Sequence, residues 1–270
     1  MHNNIMGLIK KISISGFISA VLVTHAYSVE SAPSSSFNIS PGTPLTQQLL
    51  DSCWNNREDI NNQQVIADYL MTKPSVASDY ATSWKTARLV YFIGNYGIGQ
   101  KRFVDSDDGV KLFDYGVKAG LQAQNLNPNG VEGYYWYAID LGSYGLAKGV
   151  LAAASGAKDG MKALKKAGEI DPTYQGYGST RILGRYYQEL PGLFGGDMKK
   201  ALTLLKTATT AAPTYRNNWV FLGQYYISNK QWNEANIACQ KAISLPATDG
   251  KYEEMRYTKE ANDCIKKAHD

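Results

Sequence analysis

From about residue 44 onward, apolar residues recur every three or four positions, and no period-two alternation persists. That spacing predicts helices throughout and no sheet. Four segments end alike: VKAGLQAQNLNP, LKKAGEIDP, LLKTATTAAP and CQKAISLP. Each carries an alanine, at Ala123, Ala167, Ala208 and Ala242, with Gly120, Leu164, Leu205 and Cys239 three residues earlier. Pro128, Pro172, Pro213 and Pro246 follow, and a proline cannot continue a helix. Upstream of each lies another helical segment marked by a small residue, so the pattern is one of repeated helix pairs. The predicted units are 81–128, 134–172, 177–213 and 216–246. LTQQLLDSCW and VIADYLM, within 44–73, predict an amino-terminal cap, and 253–268, with Ala261, Cys264, Ile265 and Ala268 on one face, a carboxy-terminal one. A single pair cannot cover its own apolar faces, so stacking must supply the core. The expected fold is all-α: one domain over 44–270, a right-handed solenoid of antiparallel helix pairs with capping helices at both ends.

The segment Trp219-x-x-Leu222-Gly223-x-x-Tyr226, followed by Ala235, Cys239, Ala242 and Pro246, resembles the tetratricopeptide repeat. The preceding unit matches through Leu183-Gly184-x-x-Tyr187, Ala201, Leu205, Ala208 and Pro213, with an insertion within ELPGLFGG. The resemblance covers roughly residues 80–246. It implies that the first helix of each pair faces a concave groove. Carried over by repeat position, Arg181 and Arg185 stand there one turn apart, with Asn217 and Gln224 from the next unit and Trp136 from the preceding one. An arginine pair at that spacing suits a carboxylate, because guanidinium forks bind two oxygens at once. Salt bridges to local acids such as Glu189, or exposure to water, are the competing reading. Gly133–Tyr144 holds five aromatic residues, too many for one buried helix face, so Trp136 and Tyr144 are candidates to cover the apolar part of a ligand. Core packing is the alternative.

The amino terminus changes the picture of where the protein works. Lys10 and Lys11 precede an apolar run from Ile12 to Val23, with small residues at Ala26 and Ser28. This predicts a signal peptide over 1–28, cleaved near Ala26 or Ser28, and a periplasmic or secreted protein without a membrane span; a retained anchor is the alternative. Residues 29–43 read as a disordered leader. Export permits disulfides. If the last two helices met tightly at 247–249, Cys239 would lie about 11 Å from the bend and Cys264 about 23 Å. That offset forbids a bond unless the last helix starts later, near Glu253, so Cys239–Cys264 stays an open candidate.

Composition removes most catalysis. The chain has 3 histidines among 270 residues, and after cleavage only His269 remains. No Ser-His-Asp triad, Cys-His pair or histidine-rich metal site can be built, so neither a catalytic residue, a metal nor a cofactor is expected. Asp105–Gly109 resembles the start of a calcium loop, but Gly116 stands where the bidentate acid is needed. The formal charge of +4 is no nucleic-acid footprint. The export signal, YYWYAIDLGSYG and PGLFGGD together resemble the periplasmic T-component family of TRAP transporters. That resemblance implies a non-enzymatic binding protein that holds a small organic anion or partners a solute-binding protein. A cell-envelope scaffold with a peptide-binding groove is the alternative.

Overall fold

The computed structural model describes residues 37–40, 42–72, 77–104, 106–246 and 250–269. The expected signal peptide and residues 29–36 and 41 of the leader lie outside these residues, as does Asp105. The described residues form helices and no strand. In chain order these are α1 (Gln47–Asn55), α2 (Ile60–Met71), α3 (Tyr80–Asn95), the single turn α4 (Gly99–Arg102) and α5 (Asp107–Leu126). Then come α6 (Val131–Lys148), α7 (Val150–Ile170), α8 (Tyr174–Glu189), α9 (Met198–Ala211), α10 (Arg216–Ser228), α11 (Trp232–Ser244) and α12 (Lys251–His269).

Helix ends follow from local chemistry. Asp59, Asp79, Ser106 and Asp197 each accept hydrogen bonds from amides in the first turn of the helix they precede. At the other ends, Asn127, Asp171, Ala212 and Leu245 are the C-caps of α5, α7, α9 and α11, and each stands immediately before a proline. The proline ring clashes with an α-helical residue before it, and all four residues have left the helical region.

Helices pack in pairs, α5 against α6, α6 against α7, α8 against α9 and α10 against α11, each alongside the next. Three apolar clusters run through the stack, centred on Phe92 and Phe103, on Trp136 and Leu164, and on Leu205 and Cys239. Small residues set the spacing. A Cβ on Gly120 would come within 2.7 Å of the Tyr137 Cα and 2.8 Å of its nitrogen, where backbone cannot yield. Gly120→Ala is therefore expected to destabilise the chain by about 2 kcal/mol in urea unfolding.

Asp140, on α6, is fully buried, and neither carboxylate oxygen has a hydrogen-bond partner among the described residues. Burial raises its carboxyl well above the ordinary value. The folded chain thus keeps a proton that the unfolded chain releases near pH 4. That stabilisation is complete below about pH 4 and is lost as pH rises through the folded-state value. Asp140→Asn should unfold with about 2 kcal/mol more free energy than the parent at pH 8, and the gain should vanish at pH 4. An equal effect at both pH values would show that Asp140 does not titrate in this way.

The stack curls until its ends meet. The Tyr252 amide of α12 donates to Glu58 Oε2 at 3.3 Å, and the Tyr96 and Tyr257 hydroxyls lie 3.4 Å apart. On its other side α12 packs on α10 and α11, where Cys239 and Cys264 form a disulfide. The connection from Leu245 to Gly250 makes this bond reachable. Six residues can span about 20 Å, more than the axial offset between the two cysteines measured from their helix ends. Cys53 is a buried free thiol, pushed up to about 12 by burial, which leaves it inert.

Candidate functional site

The two arginines of α8 are engaged inside the protein. Arg181 and Arg185 are both buried, 4% and 3% exposed. Arg181 Nη1 donates to Asn218 Oδ1 at 2.8 Å and to the Gln175 and Gly176 carbonyls at 3.3 and 3.4 Å. Arg185 pairs with Glu189 Oε1 at 3.3 Å and donates to Gln188. Its guanidinium lies over Phe221, 5.7 Å from the ring centre. Neither arginine is presented to an opening, because the following helix pair closes over them. Asn217 is also buried, and Gln224 donates to Glu260 Oε2 of α12 at 2.7 Å. Tyr144 packs against the amino-terminal core and accepts a hydrogen bond from Lys148. Of the six candidates, Trp136 alone lines the cavity described below.

Arg181 has a conformational task instead. Gln175, Gly176 and Tyr177 all adopt left-handed backbone, with φ of 54°, 59° and 62°. Side chains disfavour that region, so surrounding contacts must hold it. Arg181 binds two of the carbonyls in this turn, and Asn218 Nδ2 donates to Gly176 O at 3.1 Å. The turn brings Gln175 to the wall of a cavity of about 370 Å³.

That cavity lies where the ends of the stack meet. Trp54 comes from α1, Arg57 from the turn after it, Arg88 from α3 and Trp136 from α6. Gly250 and Glu253 close it from the start of α12. Trp136 is fixed by its indole N–H, which donates to the Tyr174 hydroxyl at 3.0 Å, and by contact with the Tyr91 and Tyr135 rings. The guanidinium carbons of Arg57 and Arg88 lie 3.9 and 3.8 Å from the centre of the Trp54 ring.

The two arginines differ in their acids. Arg57 has Glu58 at 3.3 Å and Glu253 at 3.9 Å. Among the described residues no carboxylate lies within ion-pair distance of Arg88, and its Nε is buried with no hydrogen-bond partner. The nearby Asp51 carboxylate is bound to Lys85 at 2.7 Å. Burial lowers the Arg88 pKa from its ordinary value, the mark of a desolvated cation. The sequence hides this site, because Trp54 and Arg57 precede the repeats and meet Arg88, Trp136 and Glu253 only through closure of the stack.

Among solved structures, the chain is similar to TTC0263, a thermophilic TPR protein of Thermus thermophilus. The TM-score is 0.55 at 16% identity, over 81% of this chain and 96% of that one. The fold is that of a tetratricopeptide-repeat solenoid. MamA is also similar, at 23% identity over 58% of this chain and 86% of that one, with a TM-score of 0.38. No protein-family model matches the sequence, and no curated protein does. Among the described residues, no group of three or more His, Cys, Asp or Glu side chains could hold a metal, and no helix is long and apolar enough to cross a membrane.

Proposed function

We propose that this TPR-fold chain is an exported, non-catalytic binding protein that holds a small organic anion in the cavity between Arg88 and Trp136. The observation that carries this reading is Arg88, a largely buried cation with no carboxylate within ion-pair distance among the described residues, at the wall of a cavity that Trp54 and Trp136 also line. A guanidinium over an indole keeps its N–H groups directed outward in its own plane, where a carboxylate's two oxygens can meet them. The volume falls in the range of small-molecule sites. The signal-like leader and the Cys239–Cys264 bond both support export. The resemblance to the T-component family suggests that the partner is a solute-binding protein of the periplasm.

Benzoate serves as a probe, read by quenching of tryptophan emission. Saturable quenching is expected for the parent and a loss of at least tenfold in affinity for Arg88→Met, at an unchanged unfolding temperature. Equal binding by both would overturn the assignment. A scaffold role is the second reading, favoured by the loop between α8 and α9, where Leu193 is 89% exposed beside the half-exposed Phe194. A peptide along the inner face is less well supported, because Gln224 and Arg216 there already bind Glu260 and Glu254 of α12.

A further inference from the structure

We infer that the cavity selects a flat monocarboxylate, and that Glu253 is the residue that excludes a second negative charge. This rests on the anion-binding reading and adds the ligand's charge and shape. The charges around the cavity are unequal in their freedom. Arg57 already faces two carboxylates, Glu58 at 3.3 Å and Glu253 at 3.9 Å. Arg88 has none within ion-pair distance among the described residues. One ligand carboxylate therefore finds a buried cation that Asp51 and Glu253 reach only at longer range, and a second would find only Arg57, already paired.

A second ligand charge in so small a space would also meet Glu253. That carboxylate is held at the rim by its own helix start: the Gly250 amide donates to Glu253 Oε2 at 2.9 Å. Like charges in a partly desolvated site repel far more strongly than in water. The remaining walls fix the shape. Trp54 carries the guanidinium of Arg57 as well as that of Arg88. Trp136, locked by its hydrogen bond to Tyr174, offers an apolar surface to a planar body. Gln175, held at the wall by the left-handed turn, adds an amide that can meet a neutral polar group.

The test is calorimetric titration of the folded full chain at pH 7.5 and low salt with benzoate, isophthalate and monomethyl isophthalate. The parent is expected to bind benzoate and the monomethyl ester within threefold of each other, and isophthalate at least tenfold more weakly. Glu253→Gln keeps an oxygen for the Gly250 amide and should reduce that gap to below threefold, because isophthalate affinity rises more than benzoate affinity. Isophthalate binding the parent as tightly as benzoate would overturn the selection while leaving anion binding intact. So would an unchanged gap in a folded Glu253→Gln chain. If that variant does not fold, the parent's discrimination between isophthalate and its monoester decides the matter without it. Failure of the parent to bind benzoate at all would remove the anion-binding reading together with this inference.

Discussion

Removing the disulfide with Cys239→Ala/Cys264→Ala is expected to lower the unfolding free energy by about 3.5 kcal/mol. The bonded cysteines are 25 residues apart, and the chain-entropy cost of leaving a loop of that length open sets the magnitude. Losses on the folded side add to it. Both sulfurs lie at the seam of α10, α11 and α12, where a Cβ on Gly223 would collide with Cys239 Sγ. Truncation there opens a void that close-packed neighbours cannot fill. Urea denaturation with intact and substituted chains measures the effect as a difference in extrapolated unfolding free energy, with the slope fitted separately because the uncrosslinked chain exposes more surface on unfolding. A loss below about 1 kcal/mol would mean that α12 is held by its side-chain contacts alone. Those contacts include Arg216 to Glu254 at 3.1 Å and Gln224 to Glu260 at 2.7 Å.

Arg181→Ala should cost about 3 kcal/mol, because it strands Asn218 Oδ1 and the Gln175 carbonyl in a buried place and leaves Gly176 O with Asn218 alone. It should also weaken benzoate binding at low temperature, where the variant remains folded. Release of the turn at Gln175–Tyr177 moves Gln175 away from the wall it now helps to form. Arg181 is thus a positioning residue, and the two readouts separate it from a ligand arginine. A ligand arginine would lower affinity without lowering stability, since its partner would be the anion. Unchanged stability with lost binding would restore the direct-contact reading of Arg181.

Much of the architecture is legible in the amino-acid sequence. Four alanines, each followed by a proline, marked the second helix of each pair, and the prolines end α5, α7, α9 and α11 because the residue before each must leave the helix. The small-residue positions were also informative, since Gly120 and Gly223 stand where neighbouring atoms leave no room for a side chain. The repeat's phase showed that Arg181 and Arg185 lie on the first helix of a pair. It could not show that Asn218, Glu189 and Phe221 enclose them, because those contacts depend on how tightly successive pairs pack. The cavity was harder still to foresee. Arg88 is separated from Glu253 by most of the domain, and only the curl of the whole stack places both beside Trp54. Periodicity reports which face of a helix is apolar; the total curvature of many stacked pairs is a sum over small rotations that it does not encode.

Gln175 and Tyr177 show a second limit. Left-handed backbone at non-glycine residues is rare, and nothing in TYQGYG beyond the glycines signals it. It persists because Arg181 and Asn218 bind the turn's carbonyls and Tyr215 packs over Gly176. Such strain gathers where a fold positions functional groups, and here it positions a residue of the cavity wall.

Whether the cavity beside Arg88 holds an organic anion is decided by native mass spectrometry of the chain purified under non-denaturing conditions from its own cells. A small organic acid is expected to be retained by the parent protein and absent from an equally folded Arg88→Met variant. A parent that carries no such mass, or an Arg88→Met chain that retains it undiminished, would contradict it.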